Sequence, residues 1–226
     1  MQDLATSWKT EHDGESLGAG AVLRLLLVLA AGLALRSLHP FQPIVENYVG
    51  RQIPTAMVAR NLELGGGFLH PQLDTGPFPN YFPVEPPVYQ AIVVGVRRLS
   101  GLPLDVSGRL TSALATTLCA WGVYVLVKRR GGEEAALAAA AAFSMLPITI
   151  RYGRAVQPDA LMIGACTAGL ACWDLAESRG RAWFPLVVGW LLLAVGLAAK
   201  VTAVYLLIVA FLAIFPRWDW KRWLLG

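Results

Sequence analysis

Six apolar runs decide what this chain can fold into. They occupy residues 19–38 (AGAVLRLLLVLAAGLALRSL), 110–127, 135–150, 160–173, 182–199 and 201–216. A helix needs roughly 17–25 mostly apolar residues to cross a bilayer, and several of these runs reach that length. Charged residues are 15% of the chain and hydrophobic ones 56%, whereas a soluble domain carries about 25% charged residues. A soluble globular fold is excluded. The expected class is an all-α polytopic membrane helix bundle of about six transmembrane helices. A candidate for a seventh span, PPVYQAIVVGV over 86–96, has 11 residues. It is too short to cross and reads as a helix lying in the interface.

The first run follows an 18-residue polar segment and no small-residue cleavage site succeeds it. It reads as a retained span behind a cytoplasmic N-terminal segment (1–18). Arg24 and Arg36 near its ends are expected to snorkel to the headgroups. With the N-terminus inside, the inner loops hold KRRGGEE (128–134), DLAESRGR (174–181) and RWDWKRW (217–223). This matches the cytoplasmic excess of lysine and arginine. The loop 39–109 then lies outside.

That orientation gives meaning to ITIRYGRAVQPDALMIG (148–164). It puts Arg151, Arg154 and Asp159 at the outer rim, with Lys200 in the next outer connection. Cations in short outer loops run against the charge bias, and ionisable groups at membrane depth are costly. One reading is snorkelling to lipid phosphates. The sharper one is an anionic substrate held by charge-assisted hydrogen bonds.

The loop 39–109 is too long for a passive connector. Within it, Ile53, Met57, Asn61 and Leu64, widened by Val58 and Leu62, have helical spacing. Pro54 suits a first turn and the run Gly65, Gly66, Gly67 ends the helix. An amphipathic helix on the membrane surface is expected. The proline-rich FLHPQLDTGPFPNYFPVEPPVYQ that follows must be irregular. Cys119, Cys166 and Cys172 fall in apolar runs and read as free, buried thiols. Trp183, Trp218, Trp220 and Trp223 gather at span ends as an interfacial belt.

The order ARN with its glycine stop, PxLD, EPPVYQ, KRRGG, YGRAVQPD and AAK resembles the polytopic lipid-linked-sugar glycosyltransferases. These include the dolichyl-phosphate-mannose protein mannosyltransferases and the bacterial aminoarabinose transferases. The resemblance runs over residues 19–223. It implies attack by an acceptor on a polyprenyl-phosphate-linked sugar at the outer face. An acidic residue serves as base, and cations stabilise the departing phosphate. By this resemblance Tyr152, Gly153 and Arg154 match the YGR-type stretch. Asp159 matches the acid opening the fourth span, Glu85 the acid before PPxY, and Lys200 the lysine after the fifth span. Many relatives carry Asp-Glu about nine residues before the arginine of ARN. Here those places hold Arg51 and Gln52, so the base stays open among Asp159, Glu85, Glu46 and Asp74. Donor phosphate binding falls to Arg154, Lys200, Arg151, Tyr152 and Arg51.

Each acid also has a plain structural reading. Asp159 fits a helix N-cap, Glu85 a solvated carboxylate and Asp74 a turn residue. His39 and His70 lie 31 apart, without ligand spacing. No metal ligand set is assigned, and the cofactor, a divalent metal included, stays open. The expected partners are the polyprenyl-phosphate-linked sugar, a lipid, glycan or protein acceptor, and the membrane, but not nucleic acid. The expected location is the cell membrane, multi-pass, with a cytoplasmic N-terminus. Because such enzymes are usually about twice as long, residues 19–226 read as an N-terminal transmembrane module. The alternative function is a non-catalytic lipid-binding or assembly subunit of a glycan machinery. A transporter ranks third, for want of a clear inverted repeat.

Overall fold

Proline and glycine set most of the helix ends. The computed structural model describes residues 19–44, 49–178 and 182–214. Eight helices follow one another among them: α1 (Ala19–Arg36), α2 (Val49–Glu63), α3 (Val88–Ser100), α4 (Leu104–Met145), α5 (Pro147–Tyr152), α6 (Pro158–Ser178), α7 (Trp183–Ala199) and α8 (Ala203–Ile214). No strand occurs among the described residues; a lone antiparallel bridge joins Gln72 and Tyr81 in the proline-rich segment.

The long α4 is two helices. Gly132 interrupts it at φ 77°, ψ 179°, a conformation that costs glycine little and other residues much. The chain turns back there. Lys128 Nζ lies 3.8 Å from Glu133 Oε2 across the turn, and Tyr124, Ala136 and Ala140 share one apolar cluster with Leu25 of α1. At the other end, Ser112 donates to the carbonyl of Ala155 at 2.6 Å. The expected inner loop 128–134 thus tightens to a reversal at Gly132.

The same antiparallel logic continues through α6 and α7. A Cβ on Gly189 would meet the Gly169 carbonyl oxygen at 2.9 Å, and one on Gly196 the Met162 carbonyl oxygen at 3.2 Å. The ordering 169 with 189, then 162 with 196, runs the two helices in opposite directions. Small residues permit this close approach, as in membrane helix pairs. Gly164 does the same against α4, where any Cβ would run into the Ala115 carbonyl.

Among the described residues, three helical stretches are long and apolar enough to cross a membrane: Ala19–Arg36, Leu104–Met145 and Pro158–Ser178; Trp183–Ala199 is apolar but shorter. The described residues are therefore all-helical, with segments long and apolar enough to span a membrane. The sixth run is represented by α8 as far as Ile214. The tryptophans at 218, 220 and 223, the segment 1–18 and Glu46 lie outside the described residues.

Several local expectations need correction. The third run does not continue to residue 150. Leu146 turns extended (φ −58°, ψ 130°) and Pro147 opens the short α5, as expected where proline disfavours a helical predecessor and removes a donor. Pro54 lies inside α2, not in its first turn, because the helix begins at Val49. The buried face of α2 overlaps the apolar stripe only at Val58. Gln52, Thr55, Val58 and Ala59 are buried, while Leu64, beyond the helix end, is exposed. Polar contacts chose that face, since Gln52 Oε1 accepts the backbone N–H of Val156 at 2.9 Å. Arg36 does not snorkel: it is 2% exposed. Its Nη2 donates to the Ser144 carbonyl at 3.2 Å, close to the C-terminal end of α4, where a cation complements the helix dipole. The three cysteines are free and buried, as expected.

Candidate active site

Two ends of the bundle can be told apart by the residues that meet there. At one end lie Gly132, Arg24, Glu133 and Asp174. At the other lie the α2–α3 segment, the start of α6, and Lys200. The second is where most of the candidate residues gather.

Proline again sets the geometry. Pro158 opens α6 and puts Asp159 in its first turn, where a carboxylate is favoured by the helix dipole. Asp159 is thus inside the helix and not its cap. Its Oδ1 accepts a hydrogen bond from Lys200 Nζ at 2.6 Å. Lys200 reaches it because α7 ends there: its backbone is extended (φ −161°, ψ 125°) while its N–H still bonds the Gly196 carbonyl. Thr202, two residues on, donates to Met162 Sδ at 3.3 Å, so the α7–α8 connection is laid against α6 at two points.

Glu85 has a comparable partner. Arg51 Nη2 donates to its Oε1 at 2.6 Å, and the carboxylate side chain is 12% exposed. Arg51 precedes Gln52, which holds Val156. One stretch of α2 therefore carries the partner of one acid and the anchor of the segment that leads into the other. Asp74 accepts from Arg60 Nη1 at 3.0 Å in a more exposed pair. The structure thus brings together Asp159 with Lys200, Glu85 with Arg51, and Asp74 with Arg60.

The remaining cations are placed differently. Arg154 Nη2 donates to the His39 carbonyl and to Gln42 Oε1, both at 3.3 Å. Arg109 Nη2 donates to the Gln42 and Pro43 carbonyls at 3.0 and 3.2 Å. Together they hold the turn that follows α1. Arg154 and Lys200 share none of these partners. Arg151 and Tyr152 close α5 and are both exposed to some extent. His39 sits in a turn at φ 53°, and His70 packs its ring 5.3 Å from that of Tyr81. No group of three His, Cys, Asp or Glu side chains converges among the described residues.

Sequence reasoning missed four contributors: Gln52, Arg109, Arg36 and the role of Tyr89. Tyr89 belongs to the PPVY element and is completely buried. Its hydroxyl lies 2.9 Å from the Gly108 carbonyl and 2.8 Å from Ser112 Oγ. Ser112 passes the connection on to Ala155. The PPVY and YGR…PD motifs, some 65 residues apart in the chain, are thus joined through one buried hydroxyl network. Burial pushes the Tyr89 phenol well above its ordinary value, so it stays a neutral donor. The spacing of PPxY offered a signal for this tyrosine; nothing local marked Gln52.

Residues 84–225, more than half of the chain, match the profile of the Dolichyl-phosphate-mannose-protein mannosyltransferase family. The chain belongs to this family. At family level this means membrane glycosyltransferases that use lipid-linked sugar donors. No curated protein and no solved structure shows significant similarity to the chain. The family match takes in Glu85, Arg151, Tyr152, Arg154, Asp159 and Lys200. It leaves Glu46, Arg51 and Asp74 outside.

Proposed function

We propose that this protein is a membrane glycosyltransferase that moves a sugar from a polyprenyl-phosphate donor to an acceptor at the outer face of the membrane. The single observation that carries the reading is the Lys200–Asp159 pair at 2.6 Å. It unites two positions named by the family resemblance, 41 residues apart, in a part-buried setting. In this reading the bundle has six spans, with the N-terminus inside and residues 39–109 outside. The transferred group is a hexose or pentose, and the acceptor a lipid, glycan or protein.

The chemistry assigns two roles to the two sides of that pair. The ammonium of Lys200, with Arg154 from the turn that leads into Asp159, supplies positive charge for the phosphate oxygen on which negative charge grows as the glycosidic bond breaks. The carboxylate of Asp159 or of Glu85 accepts the acceptor's hydroxyl or amine proton. When donor phosphate arrives, Lys200 exchanges a carboxylate oxygen for a phosphate oxygen, which releases Asp159 to take a proton.

The test is donor binding and turnover, read separately, in purified protein. Charge-assisted hydrogen bonds are worth about 1.5–3 kcal/mol, so Lys200→Ala should weaken binding of a polyprenyl-phosphate analogue roughly 10–100-fold. Asp159→Asn should bind the analogue as wild type does and lose turnover. Unchanged analogue binding in Lys200→Ala would remove the phosphate from this end of the bundle.

A second reading has its own support. Each of the three candidate bases among the described residues is engaged by a cation: Asp74 by Arg60, Glu85 by Arg51 and Asp159 by Lys200. A lipid-binding subunit without a working base would look the same. It predicts that wild-type protein binds the lipid phosphate and turns nothing over with any acceptor.

A further inference from the structure

Arg36 presents a problem that the transfer chemistry does not absorb. It closes α1, is 2% exposed, and is among the largest completely buried side chains in the molecule. A buried charge is stable only when it is paired and hydrogen-bonded. Its one described partner is a neutral backbone carbonyl, Ser144 O. Nε and Nη1 have no hydrogen-bond partner, and neither does the hydroxyl of Ser144 beside them. The neighbouring thiol of Cys119 is directed to Thr167 Oγ1 at 3.5 Å. No carboxylate among the described residues pairs with the guanidinium.

The surroundings are small and polar. A Cβ on Gly153 would lie 2.8 Å from Arg36 Nε and 2.8 Å from Thr116 Oγ1. A Cβ on Gly32 would lie 2.7 Å from Nη1 and 3.1 Å from Ser144 Oγ. The guanidinium therefore packs directly against two glycines, where no larger residue would fit, and two hydroxyls lie beside it. Thr116 gives its proton to the Ser112 carbonyl, while the Ser144 hydroxyl is uncommitted.

We propose that Arg36, with Ser144, forms a buried site for a small monovalent anion of halide size, which neutralises the guanidinium between α1, both halves of α4 and the YGR turn. Water would satisfy the two N–H groups but would leave the charge uncompensated. A lipid headgroup is too large for a site this enclosed. The occupant is structural: it fixes Gly153, and with it the neighbours Tyr152 and Arg154, against the end of α1.

The test compares purified full-length protein in chloride with the same protein in isethionate, an anion too bulky to enter. At saturating chloride the melting temperature of wild type should rise by roughly 5 °C, from the mass-action stabilisation of a ligand far above its Kd. Arg36→Met replaces the charge with an apolar side chain of similar length and should melt identically in both salts. Arg36→Lys should keep a reduced chloride increment, which covers the case in which the methionine variant fails to fold. Bromide should give an anomalous peak beside Arg36 in crystals. Equal melting of wild type in both salts overturns the proposal. So does a full chloride increment in Arg36→Met, or displacement of the bromide by a polyprenyl phosphate.

Discussion

The two ends of the bundle use the same ion-pairing chemistry in different surroundings. At the Gly132 end, Arg24 bridges Glu133 and Glu134 at 2.6 and 2.7 Å, yet Arg24 is 51% and Glu134 80% exposed. Arg129 and Arg130 share Asp174 at 2.8 and 3.4 Å. At the Lys200 end the pairs are single, and two of them are more enclosed than the Arg24 cluster: Lys200 and Asp159 are 19% and 30% exposed and Glu85 is 12% exposed, while Asp174 at the Gly132 end, at 11%, is the enclosed member there. Exposed pairs gain little, because water screens them and long side chains must be ordered. Enclosed pairs have already lost hydration, so breaking one leaves a charge with no good alternative. The Gly132 end reads as a fastening for a helical reversal, and the Lys200 end as the place where an anion could exchange partners.

The sharpest way to break this comparison is topological and all-or-none. Glu134→Cys at one end and Leu99→Cys in α3 at the other occupy well-exposed positions, and the native cysteines are buried. A membrane-impermeant maleimide should label only Leu99→Cys in intact cells. Labelling of both from one side would undo the assignment of the two ends to two faces.

Activity should then divide the two ends by orders of magnitude. Glu85→Gln keeps the shape of the side chain and removes its charge. If Glu85 is the base, transfer should fall by about 10²–10⁴-fold, while Asp174→Asn at the far end should keep most of it. Equal losses in both variants would mean that the acids are merely structural.

Stability supplies a smaller difference. Tyr89→Phe removes a hydroxyl that serves the Gly108 carbonyl and Ser112, at about 1–3 kcal/mol for the group left unsatisfied. The pH dependence has a definite sign. Because the folded phenol ionises at higher pH than the unfolded one, its contribution is complete below about pH 10, the ordinary tyrosine value, and is lost as pH rises above it. Wild-type melting temperature should fall in that alkaline window and the phenylalanine variant should lack this component. The least effect is expected for Arg24→Gln. Its pairs are exposed, so thermal unfolding should be unchanged within error. A clear loss there would place the Gly132 end among the enclosed, costly sites.

Much of the architecture was legible before any coordinates. The apolar runs became helices, and breaks fell at Gly132 and Pro158, whereas the break at Pro147 cut a run that reads as continuous to residue 150. Hydropathy and backbone restriction are local properties, carried by a residue and its immediate neighbours, so a linear chain states them openly. The pairing of acids and cations was not legible. Asp159 and Lys200 were both named, but each was expected to face a ligand, and nothing in the string indicated that they would face each other.

The sequence by itself determined that this chain is helical, crosses a membrane and belongs with lipid-linked-sugar transferases. Length and apolarity of a run fix its environment, and motif order fixes kinship. Only the tertiary structure decided that α2 buries Gln52 and Thr55 beside Val58, that Tyr89 ties PPVY to the YGR turn, and that Arg36 lies inside the bundle. The physical reason is rotational. A helix that is apolar on every side shows no stripe from which its facing can be read. Which side chains meet is settled by close packing at glycines such as Gly153, Gly164 and Gly189, and that packing exists only once the helices have come together.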